Sequence, residues 1–167
     1  EDSGTLWTFM RPHDRPSYNP DFLKDFQAWQ KDIQEMFAGQ EEELRYLVLG
    51  SRWPGVYSLG GDLSLFAEKI RDRDREALVD YGRICVRILH QNINGLDLPV
   101  VTIGLAQGDA LGGGFESLLS VNVIVAERGA AMREAGRAAP GAMAAVLGPS
   151  DDEARALLKA FNFPFRT

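Results

Sequence analysis

An α/β fold with crossover connections is the class this sequence predicts, on three observations. Short β-prone apolar runs recur at residues 5–10, 44–49, 99–105 and 121–125. Apolar stripes at helical spacing separate the first three, and glycine-rich corners join strand to helix. With 167 residues, 45% hydrophobic and 25% charged, the chain can bury a core but is short for two independent domains.

Taken in order, Thr5-Leu6-Trp7-Thr8-Phe9-Met10 reads as a strand closed by Arg11-Pro12, since proline cannot donate to a ladder. After Asn19-Pro20-Asp21, the residues Phe22, Phe26, Trp29, Ile33 and Phe37 recur at spacings of three and four, with Gly39 as a stop. That is an amphipathic helix. Leu44–Leu49 is a short apolar run bounded by charges and Gly50, which suits a buried strand, and Trp53-Pro54-Gly55 turns the chain. Val56–Gly61 leads to a helix start at Asp62. Arg71–Arg75 alternates in sign and reads as a solvated link between two helical pieces. Ala77, Tyr81, Ile84, Ile88 and Leu89 continue a stripe that fades at Asn92–Gly95. Pro99–Leu105 and Val121–Val125 are β-prone on either side of a glycine-rich stretch. From Ala130 the chain turns alanine-rich, with Gly136, Pro140 and Gly141 leaving room for at most two short helices. Ser150 marks a further helix start, with acids in its first turn.

Eighteen Lys and Arg against 24 Asp and Glu give a net charge of -6, which repels polyanions and argues against nucleic acid as a partner. No apolar run approaches the roughly 20 residues that span a bilayer and no basic-then-apolar leader is present, so a soluble, cytoplasmic protein is expected. Cys85 cannot form an internal disulfide, and with His13 and His90 it is too sparse for a metal cluster, so no metal is expected. The chain opens at Glu1 rather than at a methionine, and the expectation is a trimmed polypeptide.

The stretch most informative for chemistry is Gly108–Glu116, because three consecutive glycines, Gly112 to Gly114, are costly unless backbone must approach something closely. A helix starting near Gly113 leaves its first amides free to donate to a developing negative charge, and Glu116 hangs a carboxylate beside them. Gly60-Gly61 before Asp62 offers a second such corner. Two amides and a carboxylate suit acyl transfer or enolate chemistry. Each feature also has a structural reading. The glycines can be tight corners, Glu116 a dipole complement, Trp7, Trp29 and Trp53 core or interface anchors, His13 and His90 surface residues, and Cys85 a small buried hydrophobe. Neither a GxSxG elbow nor a P-loop occurs.

Leu105–Glu127 (LAQGDALGGGFESLLSVNVIVAE) resembles the signature of the crotonase, or enoyl-CoA hydratase, superfamily. Tyr57–Leu63 is similar to that family's first oxyanion corner, and Met10-Arg11-Pro12 follows the first strand as it does there. The Leu-Gly-Gly-Asp-Leu corner and Phe115 before Glu116 look closest to the synthases of diffusible signal factor, the cis-2-unsaturated fatty acids of bacterial quorum sensing. The resemblance covers about residues 4–130. It implies a crotonase-like spiral of repeated ββα units, with a C-terminal part that is helical and incomplete. Residues 1–130 would form the core, and 131–167 an alanine-rich helical segment whose direct junction with it is left open.

By resemblance, the amides of Gly61 and Gly113 form an oxyanion hole for the thioester carbonyl of an acyl chain on a carrier protein or coenzyme A. Glu116 matches the first of two catalytic glutamates and would move protons at C2 and at the C3 oxygen of a 3-hydroxyacyl thioester. Burial would raise its pKa for that work. Hydrolysis of the thioester to a free unsaturated acid, an apolar acyl tunnel, no cofactor beyond the carried thioester, and a homotrimer or hexamer are further implications.

The sequence also departs from the family. The second glutamate lies there in a Gly-Leu-Pro-Glu stretch soon after the strand that ends here at Glu127-Arg128-Gly129, and no such stretch follows. Glu134 stands near the expected distance without that context and is not assigned the role. Asn122 replaces a common Asp, a change expected to be structural. The alternative function is therefore a non-catalytic crotonase-like module that binds an acyl thioester or a protein.

Overall fold

Each strand of one parallel sheet leads through a corner to helices packed on the sheet, in a computed structural model that describes residues 4–40, 43–126 and 143–146. The order is β1 (Thr5–Met10), α1 (Pro20–Phe37), β2 (Tyr46–Ser51), β3 (Val56–Ser58), α2 (Leu63–Arg71), α3 (Arg75–Ile93), β4 (Val101–Ala106), β5 (Asp109–Ala110), α4 (Gly113–Leu119), β6 (Val123–Ala126) and β7 (Met143–Val146), with a 3-10 turn at Gly95–Asp97. The main sheet has the strand order β1-β2-β4-β6-β7 and a small second sheet pairs β3 with β5. All pairs are parallel except β6 with β7.

The repeat is ββα. One turn of the spiral is β2, β3 and α2–α3, and the next is β4, β5 and α4. The first turn has the same plan in reduced form, because Tyr18, between β1 and α1, makes an isolated parallel bridge to Gly61 just beyond β3. β5 has only two residues, so no periodic signal in the sequence announces it.

Local chemistry sets the helix starts. Asn19 Oδ1 accepts from Phe22 N at 2.8 Å ahead of Pro20, and Asp62 Oδ1 accepts from Ser64 N and Leu65 N at 3.0 and 3.1 Å. Asp74 caps α3 through Ala77 N, and the expected link at Arg71–Arg75 turns through Arg73 at φ +55°. β2 is buried on both faces, with Leu49 in the core under α1 and α3 and Val48 in a cluster with Ile103 and Val125 on the opposite face. This is the near-continuous apolar run expected of a central parallel strand. Asn122 is structural, as expected: its Oδ1 accepts from Thr102 N and Oγ1, both at 2.9 Å, joining the segment before β6 to β4.

β7 corrects one expectation. Short helical pieces are expected in the alanine-rich stretch, yet Met143–Val146 pairs antiparallel with β6. Pairing with the open edge of β6 satisfies a row of backbone groups, and that tertiary gain outweighs the helix preference of alanine. Glu134, the helix start at Ser150 and the remainder of the expected C-terminal helical segment lie outside the described residues.

Candidate functional site

The three strand-to-helix corners lie side by side, at Tyr18, Gly60-Gly61 and Gly112–Gly114. Tyr18 N donates to Gly60 O at 2.7 Å, Leu59 N to Pro16 O at 2.6 Å, and Leu111 N to Ser58 O at 2.9 Å. Gly60 sits at φ +80°, and a Cβ there would fall 2.6 Å from Leu111 O, so only glycine fits.

The glycine triplet has two structural explanations and one gap. Gly112 adopts φ +50°, and a Cβ on Gly114 would lie 2.5 Å from Ser58 O, where α4 packs on β3. Gly113 needs neither. Its φ is not positive, and a Cβ would meet only ordinary contacts, the nearest at 3.7 Å to Gly61 N. What the missing side chain leaves open there is the space beside the Gly61 amide. Neighbouring amides are engaged: Gly60 N donates to Ser58 Oγ, Gly114 N to Leu111 O, and Phe115 N and Glu116 N to Gly112 O. Those of Gly61 and Gly113 have no acceptor among the described residues.

Gly61, Gly113 and Glu116 all border one cavity of about 520 Å³. Its remaining wall is mostly apolar and comes from three helices, with Leu23 and Phe26 of α1, Phe66 and Ile70 of α2, and Ile88 and Leu89 of α3. The sequence-predicted residues are thus brought together. The expected burial of Glu116 is not found: it is exposed, at the open side of the cavity. It lies in the first turn of a short helix whose outer residues, Phe115 and Leu119, are themselves 51% and 49% exposed, so no other described element covers that side.

Sequence reasoning missed a hydroxyl cluster in this wall. Ser117 Oγ donates to Gly114 O at 2.8 Å, and since that uses its single proton, the 2.7 Å contact with Tyr18 Oη has the tyrosine as donor. Tyr81 Oη donates to Tyr18 O at 2.5 Å. In the core beneath this wall, Tyr57 Oη is buried with no hydrogen-bond partner among the described residues. Burial pushes the pKa of Tyr18, Tyr57 and Tyr81 upward, so all three remain phenols. Nothing in the sequence flags Tyr18, because its role depends on contacts with residues 42 and 99 positions away.

Cys85 is half-buried, packed against the core cluster and lining the same wall. Burial pushes its thiol up, and the Glu116 charge adds to the shift against the lowering hydrogen bond with Tyr81. His13 and His90 are exposed and away from the cavity. Trp29 packs edge-on against Phe26 at 5.0 Å, whereas Trp7, read as an anchor, is 52% exposed on β1. Among the described residues, no three His, Cys, Asp or Glu side chains gather as a metal site.

Neither a protein-family model nor a curated protein matches the chain. Solved structures do. An enoyl-CoA hydratase from Geobacillus kaustophilus is 22% identical with a TM-score of 0.60, the match covering 74% of this chain and 42% of that one. For an enoyl-CoA hydratase from Bacillus halodurans the figures are 17%, 0.63, 74% and 46%, and for DspI of Pseudomonas aeruginosa 23%, 0.58, 75% and 46%. The chain spans less than half the length of these proteins. With its parallel sheet, ββα turns and adjoining glycine corners, it has the crotonase fold of the enoyl-CoA hydratases.

Proposed function

We propose that the chain is a crotonase-type acyl-thioester enzyme that dehydrates a 3-hydroxyacyl thioester to its 2-unsaturated product. The observation that carries this reading is the convergence of Gly61, Gly113 and Glu116 on one cavity whose wall is mostly apolar. The carbonyl oxygen of the thioester would accept from the Gly61 and Gly113 amides, which stabilise the enolate formed when the Glu116 carboxylate takes the C2 proton. That proton then goes to the C3 hydroxyl, which leaves as water while the C2–C3 double bond forms. The helix-lined wall would hold the acyl chain.

A thioesterase step is part of the proposal, supported by the likeness of the 59–63 and 105–127 segments to the signal-factor synthases. Water adding to the same carbonyl would place a tetrahedral oxyanion on the same amides, and loss of the thiol would release a free unsaturated acid. Carrier protein or coenzyme A as thiol, a homotrimer or hexamer, and a cytoplasmic location belong to the same reading. No helix among the described residues is long and apolar enough to cross a membrane.

The test is Glu116→Gln with a 3-hydroxyacyl carrier-protein substrate. A fall in turnover of about 10²–10⁴-fold is expected for loss of the acid-base group, with stability within about 0.5 kcal/mol because the residue is exposed. Unchanged turnover would remove Glu116 from the mechanism. A second reading, a module that binds acyl thioesters without turning them over, is favoured by the exposure of Glu116 and by the missing Gly-Leu-Pro-Glu stretch. Calorimetric binding with no product supports that module, and product formation excludes it.

A further inference from the structure

We propose that Tyr18 is the positioning residue that fixes the Gly61 and Gly113 amides relative to one another. The inference rests on the acyl-thioester reading above and adds to it the group that builds the carbonyl site.

Tyr18 holds both glycine corners. Its backbone N–H is bonded to Gly60 O at 2.7 Å, and the residue bridges in parallel to Gly61, which ties it to the first corner. Its side chain reaches the second corner. The phenol donates to Ser117 Oγ at 2.7 Å and Ser117 donates to Gly114 O at 2.8 Å, so one chain of two bonds ends in the first turn of α4, on the carbonyl of the residue after Gly113. The ring edge also borders the space a Gly113 side chain would enter, Cδ2 being in ordinary contact at 3.9 Å from that Cβ position. Tyr18 O is held from a third side by Tyr81 Oη of α3. The ring stacks on Phe22 at 5.9 Å, and the residue is 7% exposed, so its conformation is fixed by packing as well as by hydrogen bonds.

This arrangement matters because the two amides sit on separate turns of the spiral. α4 has only seven residues, packed through Gly114 on Ser58 and through Leu118 in the core, and an oxyanion site is useful only when both donors reach one oxygen. Tyr18 does not touch the reacting atoms. It acts through the angle and separation of the two donors, which sets carbonyl polarisation more than acyl binding.

The test uses octanoyl-CoA with carbon-13 at the thioester carbonyl, which lacks a 3-hydroxyl and cannot be dehydrated. The carbonyl stretch is read by infrared difference spectroscopy on wild type, Tyr18→Phe and Ser117→Ala. A downshift on binding to wild type, reduced in both variants with Kd little changed, is expected, together with kcat about tenfold lower on the 3-hydroxyacyl substrate, a part of the 10²–10³-fold that a whole oxyanion donor is worth. The double variant should lose no more than either single one, because both remove the same chain of bonds. Ser117→Ala leaves the backbone anchors of Tyr18 intact and serves if Tyr18→Phe does not fold. A full downshift in the variants overturns the role of Tyr18 and leaves the acyl-thioester reading standing. No downshift in wild type overturns both.

Discussion

Gly60 and Gly113 meet backbone to backbone, so closely that a methyl group on Gly60 would stand 2.8 Å from the Gly113 nitrogen. The two corners therefore share one surface, and whatever moves one amide moves the other. Replacing Gly60 by Ala should disrupt both at once, through left-handed backbone at φ +80° and a clash with Leu111 O at 2.6 Å. A loss of about 3 kcal/mol or more is expected from strain and overpacking together, read from the urea midpoint. An unchanged midpoint would contradict this packing.

Gly113 and Gly114 should behave oppositely. Gly114→Ala forces a Cβ to 2.5 Å from Ser58 O and should cost about 1–3 kcal/mol of stability. Gly113→Ala meets nothing closer than 3.7 Å and should fold with its thermal midpoint little changed, yet fill the space beside the Gly61 amide and lower turnover by about 10²-fold. Equal stability losses would show that the triplet is a corner only.

Much of this architecture is legible in the sequence, and the exceptions have physical causes. α1 and α3 carry long apolar stripes, and β1, β2, β4 and β6 are β-prone runs, so local periodicity suffices. β5 and the bridge at Tyr18 are too short for any period and exist only because adjoining turns of the spiral stack. β7 is decided by the open edge of β6 rather than by its own composition. At the site, the glycine pair and triplet mark the two corners because such runs are unusual, and the resemblance to the crotonase signature singles out Gly61, Gly113 and Glu116 within them. Tyr18, Tyr81 and Ser117 are common residue types that acquire meaning only through distant partners.

Alkaline pH should weaken the fold. Tyr18, Tyr57 and Tyr81 hold their protons to higher pH when folded than their ordinary value of 10.0, and Cys85 does so relative to 9.0. The unfolded chain therefore releases protons first, and stability present in full below these values falls as pH rises through them. Tyr57→Phe removes a buried hydroxyl with no hydrogen-bond partner among the described residues, so it should stabilise by on the order of 1 kcal/mol and flatten the alkaline slope. Chemical denaturation across a pH series checks both, and destabilisation by this variant would mean that the hydroxyl is satisfied.

Cys85 reports on the cavity. Its half-buried thiol should alkylate more slowly than a free cysteine at the same pH, faster in Glu116→Gln because one neighbouring negative charge is gone, and slowest with an acyl thioester bound. Alkylation rates by mass spectrometry test this. Absence of protection by ligand would place the acyl chain elsewhere.

The central claim is that two glycine amides and Glu116 together stabilise a thioester enolate. Exchange of the C2 protons of a saturated acyl-CoA in deuterated water, followed by proton NMR, tests it most directly because it needs neither a leaving group nor a second acid. Exchange by wild type, lost in Glu116→Gln and in Gly113→Ala, is the predicted result. A wild-type chain that binds the thioester and leaves its C2 protons in place would contradict the account.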